Sequence, residues 1–122
     1  MRQPAPVSAV HAAAMTASQR VAWNMTRLRV EAGMTQTELG RRLGGWSTAS
    51  VSAAERSAAG GRIRKFDADE LALMAHIFGV GVSELLEPPE LCGTCQGAPP
   101  AGMKCMSCGL EAPQPIPEES AR

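Results

Sequence analysis

Aromatic side chains are scarce in this chain of 122 residues, which has two Trp, two Phe and no Tyr. Leu, Val, Met and Ala must therefore fill the core, and we expect modest stability. No apolar run approaches the roughly 18 residues that a membrane-spanning helix needs. Pro4, Pro6 and His11 interrupt the Ala-Val stretch that follows Arg2, so it lacks the apolar core of a secretory signal. These absences argue against membrane and secreted proteins, and we expect a cytoplasmic one.

Net charge is also absent, because 12 Lys and Arg balance 12 Asp and Glu. The basic and acidic residues are, however, separated along the chain. Residues 1–65 hold ten basic and three acidic residues, a net of +7, whereas residues 66–122 hold two basic and nine acidic residues, a net of −7. A positive field over the first part would attract nucleic-acid phosphates. We interpret the densest basic cluster, Arg62, Arg64 and Lys65, as a phosphate or minor-groove contact, and an ordinary solvated loop is the alternative.

Residues 35–56 predict two short helices joined by a tight glycine turn. Thr35 and Glu38 have the spacing of a capping box, in which each side chain binds the backbone amide of the other residue. Gly44 and Gly45 then end the first helix, since glycine adopts positive φ at no steric cost. A helix-turn-helix unit of this kind reads DNA by placing the first turns of its second helix in the major groove.

The second helix of this unit, the predicted recognition helix, has its own start signal. Ser47 is the expected N-cap. Val51 and Ala54 lie three residues apart and give the helix a narrow apolar stripe that would face the preceding helix. We expect Trp46 to fill the corner between the two helices.

Helical patterns continue on both sides of this unit. A stripe at i, i+4, i+7 and i+11 predicts a helix over about residues 18–32, which Gly33 ends. Another stripe over residues 71–78 ends at Gly79, and a last short turn follows before Pro88-Pro89. The patterns predict five helices and no strand before residue 90, which indicates an all-α fold. Without further information, a small helical bundle with no nucleic-acid function remains the alternative.

Three blocks of sequence, in order and correctly spaced, connect the chain to a known family. They are Leu28-Arg29-x-x-Ala32-Gly33-Met34-Thr35-Gln36-x-x-Leu39, then Val51-Ser52-x-x-Glu55-Arg56, then Leu71-x-x-Met74-Ala75-x-Ile77-Phe78-Gly79-Val80-x-Val82-x-x-Leu85-Leu86. With these blocks, residues 20–87 resemble the xenobiotic-response-element (XRE) helix-turn-helix family, which includes the lambdoid phage repressors and Cro. The resemblance implies a five-helix, phage-repressor-like domain over residues 18–87. It also implies a repressor-like regulator of transcription that binds double-stranded DNA, usually as a homodimer.

The resemblance also implies roles for individual residues. Arg29 would pair with Glu55 inside the domain, and Gln36 would contact a DNA phosphate. The first turns of the recognition helix would face the bases, and the loop after it would contact the DNA backbone. The expected DNA-binding residues are Gln36, Ser47, Thr48, Ala49, Ser50, Ser52, Ala53, Arg56, Arg62, Arg64 and Lys65. The chain departs from the family in having two glycines in the turn and no Arg, Asn or Gln on the recognition helix for a bidentate base contact.

All four cysteines fall in one short segment, as Cys92-Gly-Thr-Cys95 and Cys105-Met-Ser-Cys108. Two Cys-x-x-Cys knuckles at this spacing can place four thiolates around one Zn²⁺, with each sulfur about 2.3 Å from the ion. The segment is rich in Gly and Pro and has little apolar surface, so something must order it. We predict a structural zinc ribbon over residues 88–110. An iron or iron-sulfur site and disulfides are the alternatives, and a reducing cytoplasm disfavours disulfides.

No pattern in the chain places a catalytic Ser-His-Asp, Cys-His or paired-carboxylate arrangement, so we do not expect an enzyme. Residues 1–17 and 111–122 have the composition of disordered tails. Two functions besides DNA-binding regulation remain open. One is an antitoxin or accessory module that binds a protein partner. The other is a zinc or thiol sensor that acts through the cysteines, and the ribbon could equally contact a protein partner.

Overall fold

The computed structural model describes residues 7–60 and 62–112. Within them, helices are the only regular secondary structure apart from one isolated antiparallel bridge between Lys104 and Glu111. The helices are α1 (Ala9–Ala14), α2 (Ala17–Glu31), α3 (Gln36–Arg42), α4 (Thr48–Arg56), α5 (Ala68–Phe78) and α6 (Val82–Leu85), with a 3₁₀ turn at Ser57–Ala59 after α4. The expected all-α class is therefore confirmed for the described residues.

The chain divides into two compact units. The helical unit contains α2 to α6 and, within the described residues, runs from 15 to 89. The second, which we call the four-cysteine unit, consists of two separate segments that flank the helical unit in sequence. Its described residues are 7–14 and 90–112.

The predicted N-terminal tail is wrong for residues 9–14, because they form α1. Ser8 starts this helix by accepting a hydrogen bond from the His11 amide at 3.0 Å, and alanine, which has the highest helix propensity, then continues it. In the second predicted tail, Ala112 is ordered by a hydrogen bond from its amide to the Met103 carbonyl at 3.0 Å. The remaining parts of the two predicted tails, residues 1–6 and 113–122, lie outside the described residues.

One apolar cluster holds the helical unit together. Each of its helices contributes to this cluster, whose buried members are Val21, Met25, Leu28, Leu39, Leu43, Val51, Ala54, Met74, Ala75 and Leu85. The apolar stripe predicted for α2 consists of Val21, Met25, Leu28 and Ala32. The first three are buried, whereas Ala32 is exposed because the helix ends at Glu31 and Ala32 is its C-cap. Asn24 joins α2 to the end of α6 by donating to the carbonyls of Leu85 and Glu87, both at 2.9 Å.

The start of α3 differs in part from the predicted capping box. Thr35 accepts from the Glu38 amide at 3.0 Å, as expected. The Glu38 carboxylate, however, pairs with Arg41 and with Arg42, the latter at 3.0 Å, and not with the Thr35 amide. Hydrogen bonds from Arg41 and Arg42 lower the pKa of Glu38. Two nearby guanidinium groups are stronger partners for a carboxylate than one amide, which explains the difference.

None of the described helices is both long enough and apolar enough to cross a membrane.

Candidate nucleic-acid interface and metal centre

Helix α4 is anchored on α3 by its apolar side. Val51 and Ala54 are completely buried, as their spacing predicts. The close approach depends on Gly40, where an added Cβ would lie 2.3 Å from the Trp46 carbonyl oxygen and 3.3 Å from a Val51 methyl. The Trp46 amide donates to the Gly40 carbonyl at 2.9 Å, so the turn lies directly against α3. Sequence reasoning missed Gly40, although a glycine inside a helical pattern is itself a signal of close packing.

The turn between α3 and α4 has the predicted glycine geometry. Gly44 and Gly45 have φ values of +90° and +99°, which side-chain-bearing residues rarely adopt. Ser47 then caps α4 by accepting the Ser50 amide at 3.1 Å. The start of α4 is therefore fixed in both position and direction.

The opposite side of α4 forms a ridge of small side chains. Ser52 is half-buried, and the other members are exposed, namely Ser47, Thr48, Ala49, Ser50 and Ala53. The hydroxyl of Thr48 lies 2.7 Å from that of Thr37 on α3. Hydroxyls both donate and accept hydrogen bonds, so this ridge offers rotatable polar groups and methyl groups but no long side chain.

A buried ion pair connects α2 with α4. Arg29 donates to Glu55 through Nε at 2.6 Å and through a terminal nitrogen at 3.1 Å, and their side chains are only 15% and 8% exposed. This confirms the pair that the family resemblance implied. Gln36 joins it, because its Nε2 donates to Glu55 at 2.8 Å. This bond uses one of the two N–H groups that a glutamine amide carries.

The basic loop after α4 separates into two kinds of residue. Arg62 and Lys65 are exposed, and the described part of the chain contains no ion pair for either of them. Arg64 differs, because its guanidinium lies 4.0 Å from the Trp46 ring centroid and donates to Glu70 at 2.8 Å. The Trp46 ring in turn stacks on Phe66, with centroids 6.5 Å apart. Arg64 is thus held within the fold, whereas the sequence grouped it with its two basic neighbours.

The four cysteines come together in the four-cysteine unit. Their sulfurs all lie within 4.8 Å of one another, and none is in a disulfide. Cys92 lies 3.9 Å from Cys105, and Cys95 lies 3.8 Å from Cys108, measured between sulfurs. Ligands at the corners of a tetrahedron, each about 2.3 Å from a zinc ion, would be about 3.8 Å apart. The donor set and its spacing therefore fit a thiolate-bound metal ion.

The two knuckles have matching surroundings. Thr94 and Ser107 occupy the same position in each Cys-x-x-Cys, and their hydroxyls are 2.9 Å apart. The Thr94 amide points to the Cys92 sulfur at 3.4 Å. The second knuckle is closed by a hydrogen bond from the Cys105 amide to the Leu110 carbonyl at 2.9 Å. The residues on either side of this knuckle pair through a single antiparallel bridge between Lys104 and Glu111, and the described residues contain no extended strands there.

The pKa shifts of the cysteine thiols differ in direction. Backbone amide hydrogen bonds from Cys95 and Thr94 lower the pKa of Cys92 to about 6, and the corresponding amides of the second knuckle lower the pKa of Cys105. For Cys108, a backbone amide of the following turn acts to lower the pKa, but burial and the neighbouring thiols raise it to about 12. Four adjacent thiolates repel one another, and a divalent cation would remove that repulsion.

Comparison with known proteins identifies the helical unit. Residues 25–85 match the HTH_3 helix-turn-helix family, and the match includes all of α3 to α6 and the second half of α2. The chain belongs to this helix-turn-helix family. The match confirms the XRE-type resemblance and supports a DNA-binding regulator in general.

The similar solved structures include one of a transcription factor, which agrees with this assignment. A hypothetical transcription factor, NHTF, from Neisseria is 30% identical, with a TM-score of 0.55 over 72% of this chain and 88% of that one. A cobalt(II) HppE in complex with substrate is 25% identical, with a TM-score of 0.50 over 68% of this chain, and the chain covers only 42% of HppE. None of the curated proteins gave a significant match.

The family match ends before the cysteines. It stops at Leu85, and Cys92 is the first cysteine. The four-cysteine unit is therefore an addition to the helix-turn-helix domain, and its chemistry has to be argued from its own residues.

Proposed function

We propose that this protein is a sequence-specific, repressor-like regulator of transcription that inserts the start of α4 into the major groove of double-stranded DNA. The exposed ridge of α4 supports the proposal most strongly. Val51 and Ala54 are buried and hold the helix in the core. The exposed ridge has only small side chains, so no bulky group would keep the helix out of the groove. The available base contacts are hydroxyl hydrogen bonds and contacts between Ala or Thr methyls and thymine.

Contacts to DNA phosphates would position this helix. We assign them to Arg56, Arg62 and Lys65, which are exposed, and to the second N–H of the Gln36 amide group. Arg64 would act indirectly by holding the corner around Trp46. Since the ridge has no side chain for a bidentate base contact, each subunit discriminates weakly. We therefore propose a homodimer on two half-sites about one helical turn apart, with DNA shape adding to specificity.

Matched glutamate substitutions test this proposal. Ala49→Glu places a carboxylate on the ridge, where it would face the phosphates and bases. Ala72→Glu makes the same change at an exposed alanine of α5. Glutamate near the start of α4 is compatible with the helix dipole, so we expect both variants to fold.

The measurement begins with selection of preferred duplexes from a random library by the wild-type protein. Fluorescence anisotropy then gives the affinity of each variant for the selected site. We expect Ala49→Glu to lose at least about 100-fold, because like charges opposed at an interface cost several kcal/mol. Ala72→Glu should bind as the wild type does. Equal affinities would show that α4 is not the DNA-reading element.

We also propose that Cys92, Cys95, Cys105 and Cys108 bind one structural Zn²⁺. Four sulfurs within 4.8 Å of one another, with two pairs at 3.8 and 3.9 Å and no disulfide, support this assignment. In the reducing cytoplasm, where we predict the protein acts, thiols persist. Elemental analysis of the purified protein tests the metal, with one zinc per chain expected. Iron, or no metal, would contradict it.

The same ion supports a second candidate function, metal sensing. The test measures affinity for the selected DNA site with and without a chelator. An unchanged affinity would exclude a sensing role and leave the ion purely structural.

A further inference from the structure

We infer that the N-terminal segment, residues 7–14, is an integral part of the metal site, so that metal binding and docking of this segment depend on each other. This inference rests on the proposal that the four cysteines bind a metal ion. The segment and the cysteines belong to the same compact unit although they lie at opposite sides of the helical unit in sequence.

One close contact carries the inference. The Ala9 amide donates to the Gly97 carbonyl at 2.7 Å. Gly97 is buried and has a φ of +74°. A Cβ added there would lie 2.5 Å from the Ala9 nitrogen and 3.0 Å from the Val7 carbonyl oxygen. The N-terminal segment therefore packs on the backbone of Gly97 so closely that no side chain fits between them.

The position of Gly97 is set by the first metal knuckle. The Gln96 amide donates to the Cys92 carbonyl at 2.7 Å, and the Ala98 amide donates to the Cys95 carbonyl at 3.0 Å. These two hydrogen bonds close the turn that carries both cysteines. The turn that directs Cys92 and Cys95 toward a common ion thus also presents the Gly97 carbonyl to Ala9.

Helix α1 is too short to be stable by itself. It has six residues, and isolated helices shorter than about 12 residues are marginal in water. Ala12 is its one buried residue. If the knuckle opens without metal, α1 loses its docking surface and should unfold. Coupling between two binding events is reciprocal, so loss of the docked segment must weaken metal binding by the same factor.

Two glycine variants of the full chain test the coupling. Gly97→Ala introduces the clash with the N-terminal segment. Gly102→Ala is the matched control, because Gly102 has the same φ of +74° but nothing within 4 Å of its would-be Cβ. Competition with a chromogenic chelator gives the zinc affinity of each. We expect Gly97→Ala to bind zinc at least about tenfold more weakly than Gly102→Ala, as is typical when a group that supports metal ligands is lost.

Ala9→Pro is a second, milder variant. It removes the amide that donates to Gly97, and proline is well tolerated at the first position of a helix. Ala17→Pro, at the first position of α2, is its control. Hydrogen exchange of the peptide covering residues 7–14 is measured for each protein with zinc and with a chelator. We expect zinc to protect this peptide in the wild type and in Ala17→Pro, and to protect it much less in Ala9→Pro.

The outcomes separate this inference from the metal proposal. Wild-type protein that binds zinc but shows no zinc-dependent protection of residues 7–14 would overturn the inference and leave the metal site intact. Equal zinc affinity in Gly97→Ala and Gly102→Ala would do the same. Wild-type protein that binds no zinc would refute the metal site itself, and the inference with it.

Discussion

The helical unit and the four-cysteine unit are stabilised in different ways. The helical unit buries ten apolar side chains in one cluster. Among the described residues of the four-cysteine unit, only Ala12, Gly97 and Cys105 are buried. The hydrophobic effect therefore accounts for the first unit, whereas the second depends on backbone hydrogen bonds and on its four convergent sulfurs. This difference predicts that metal removal should affect the two units unequally.

The largest expected effect is the loss of the metal. Structural zinc contributes roughly 10 to 16 kcal/mol to the folding of small metal-binding peptides. Cys105→Ser should abolish stoichiometric zinc binding and remove hydrogen-exchange protection from residues 90–112. The circular dichroism signal of α2 to α6 should persist. Met106→Ser, at a neighbouring residue that is 94% exposed, is the control and should keep one zinc per chain. Collapse of the helical signal in Cys105→Ser would show that the two units fold as one.

The next largest effect should come from the buried ion pair of the helical unit. Glu55→Gln leaves the Arg29 charge without its partner, and such a loss costs about 3 to 5 kcal/mol. Glu31→Gln is the matched control, because Glu31 pairs with Arg27 at the surface, where an ion pair contributes about 0 to 1 kcal/mol. Urea denaturation gives both values. Similar destabilisation by the two substitutions would mean that Arg29 and Glu55 are not a scaffold element.

The same division explains what the sequence could predict. In the helical unit, apolar periodicity predicted that Val51 and Ala54 are buried, because the buried face of a helix repeats in the sequence. Glycines and capping residues predicted the turn, because local backbone conformation depends on these residue types. Cysteine spacing likewise predicted the convergence of four sulfurs. No sequence pattern predicted the docking of Ala9 on Gly97, since it is a backbone contact between residues far apart in sequence.

The errors in the basic loop and at α3 have a related cause. Charge counting treated Arg62, Arg64 and Lys65 as equivalent, but the aromatic pair of Trp46 and Phe66 takes up Arg64 alone. Glu38 fits a capping box by spacing, yet two nearby arginines compete for its carboxylate. Both outcomes depend on three-dimensional neighbours, which one-dimensional patterns do not contain.

Gly40 offers a sharper test of packing in the helical unit. Replacing a glycine inside a helix by alanine ordinarily stabilises the helix by about 1 kcal/mol. Gly40→Ala should instead destabilise the protein by about 1 to 3 kcal/mol, because its Cβ would meet a backbone carbonyl of the turn, which cannot move away as a side chain could. Gly93→Ala, with nothing within 4 Å of the added Cβ, should leave the urea midpoint of the helical unit unchanged. A more stable Gly40→Ala variant would contradict the close approach of the turn to α3.

The smallest expected effects separate the residues of the basic loop. Each phosphate contact contributes about 0.9 to the slope of log affinity against log salt concentration. Arg62→Gln and Lys65→Gln should each lower this slope by about that amount without changing stability, since both side chains are exposed. Arg64→Gln should leave the slope nearly unchanged and lower stability by about 1 kcal/mol, because it removes the contact with the Trp46 ring. Anisotropy titrations at several salt concentrations, together with thermal denaturation, measure both quantities. If Arg64→Gln lowers the slope as much as Arg62→Gln does, Arg64 contacts the DNA directly and its stacked position is not the one used in the complex.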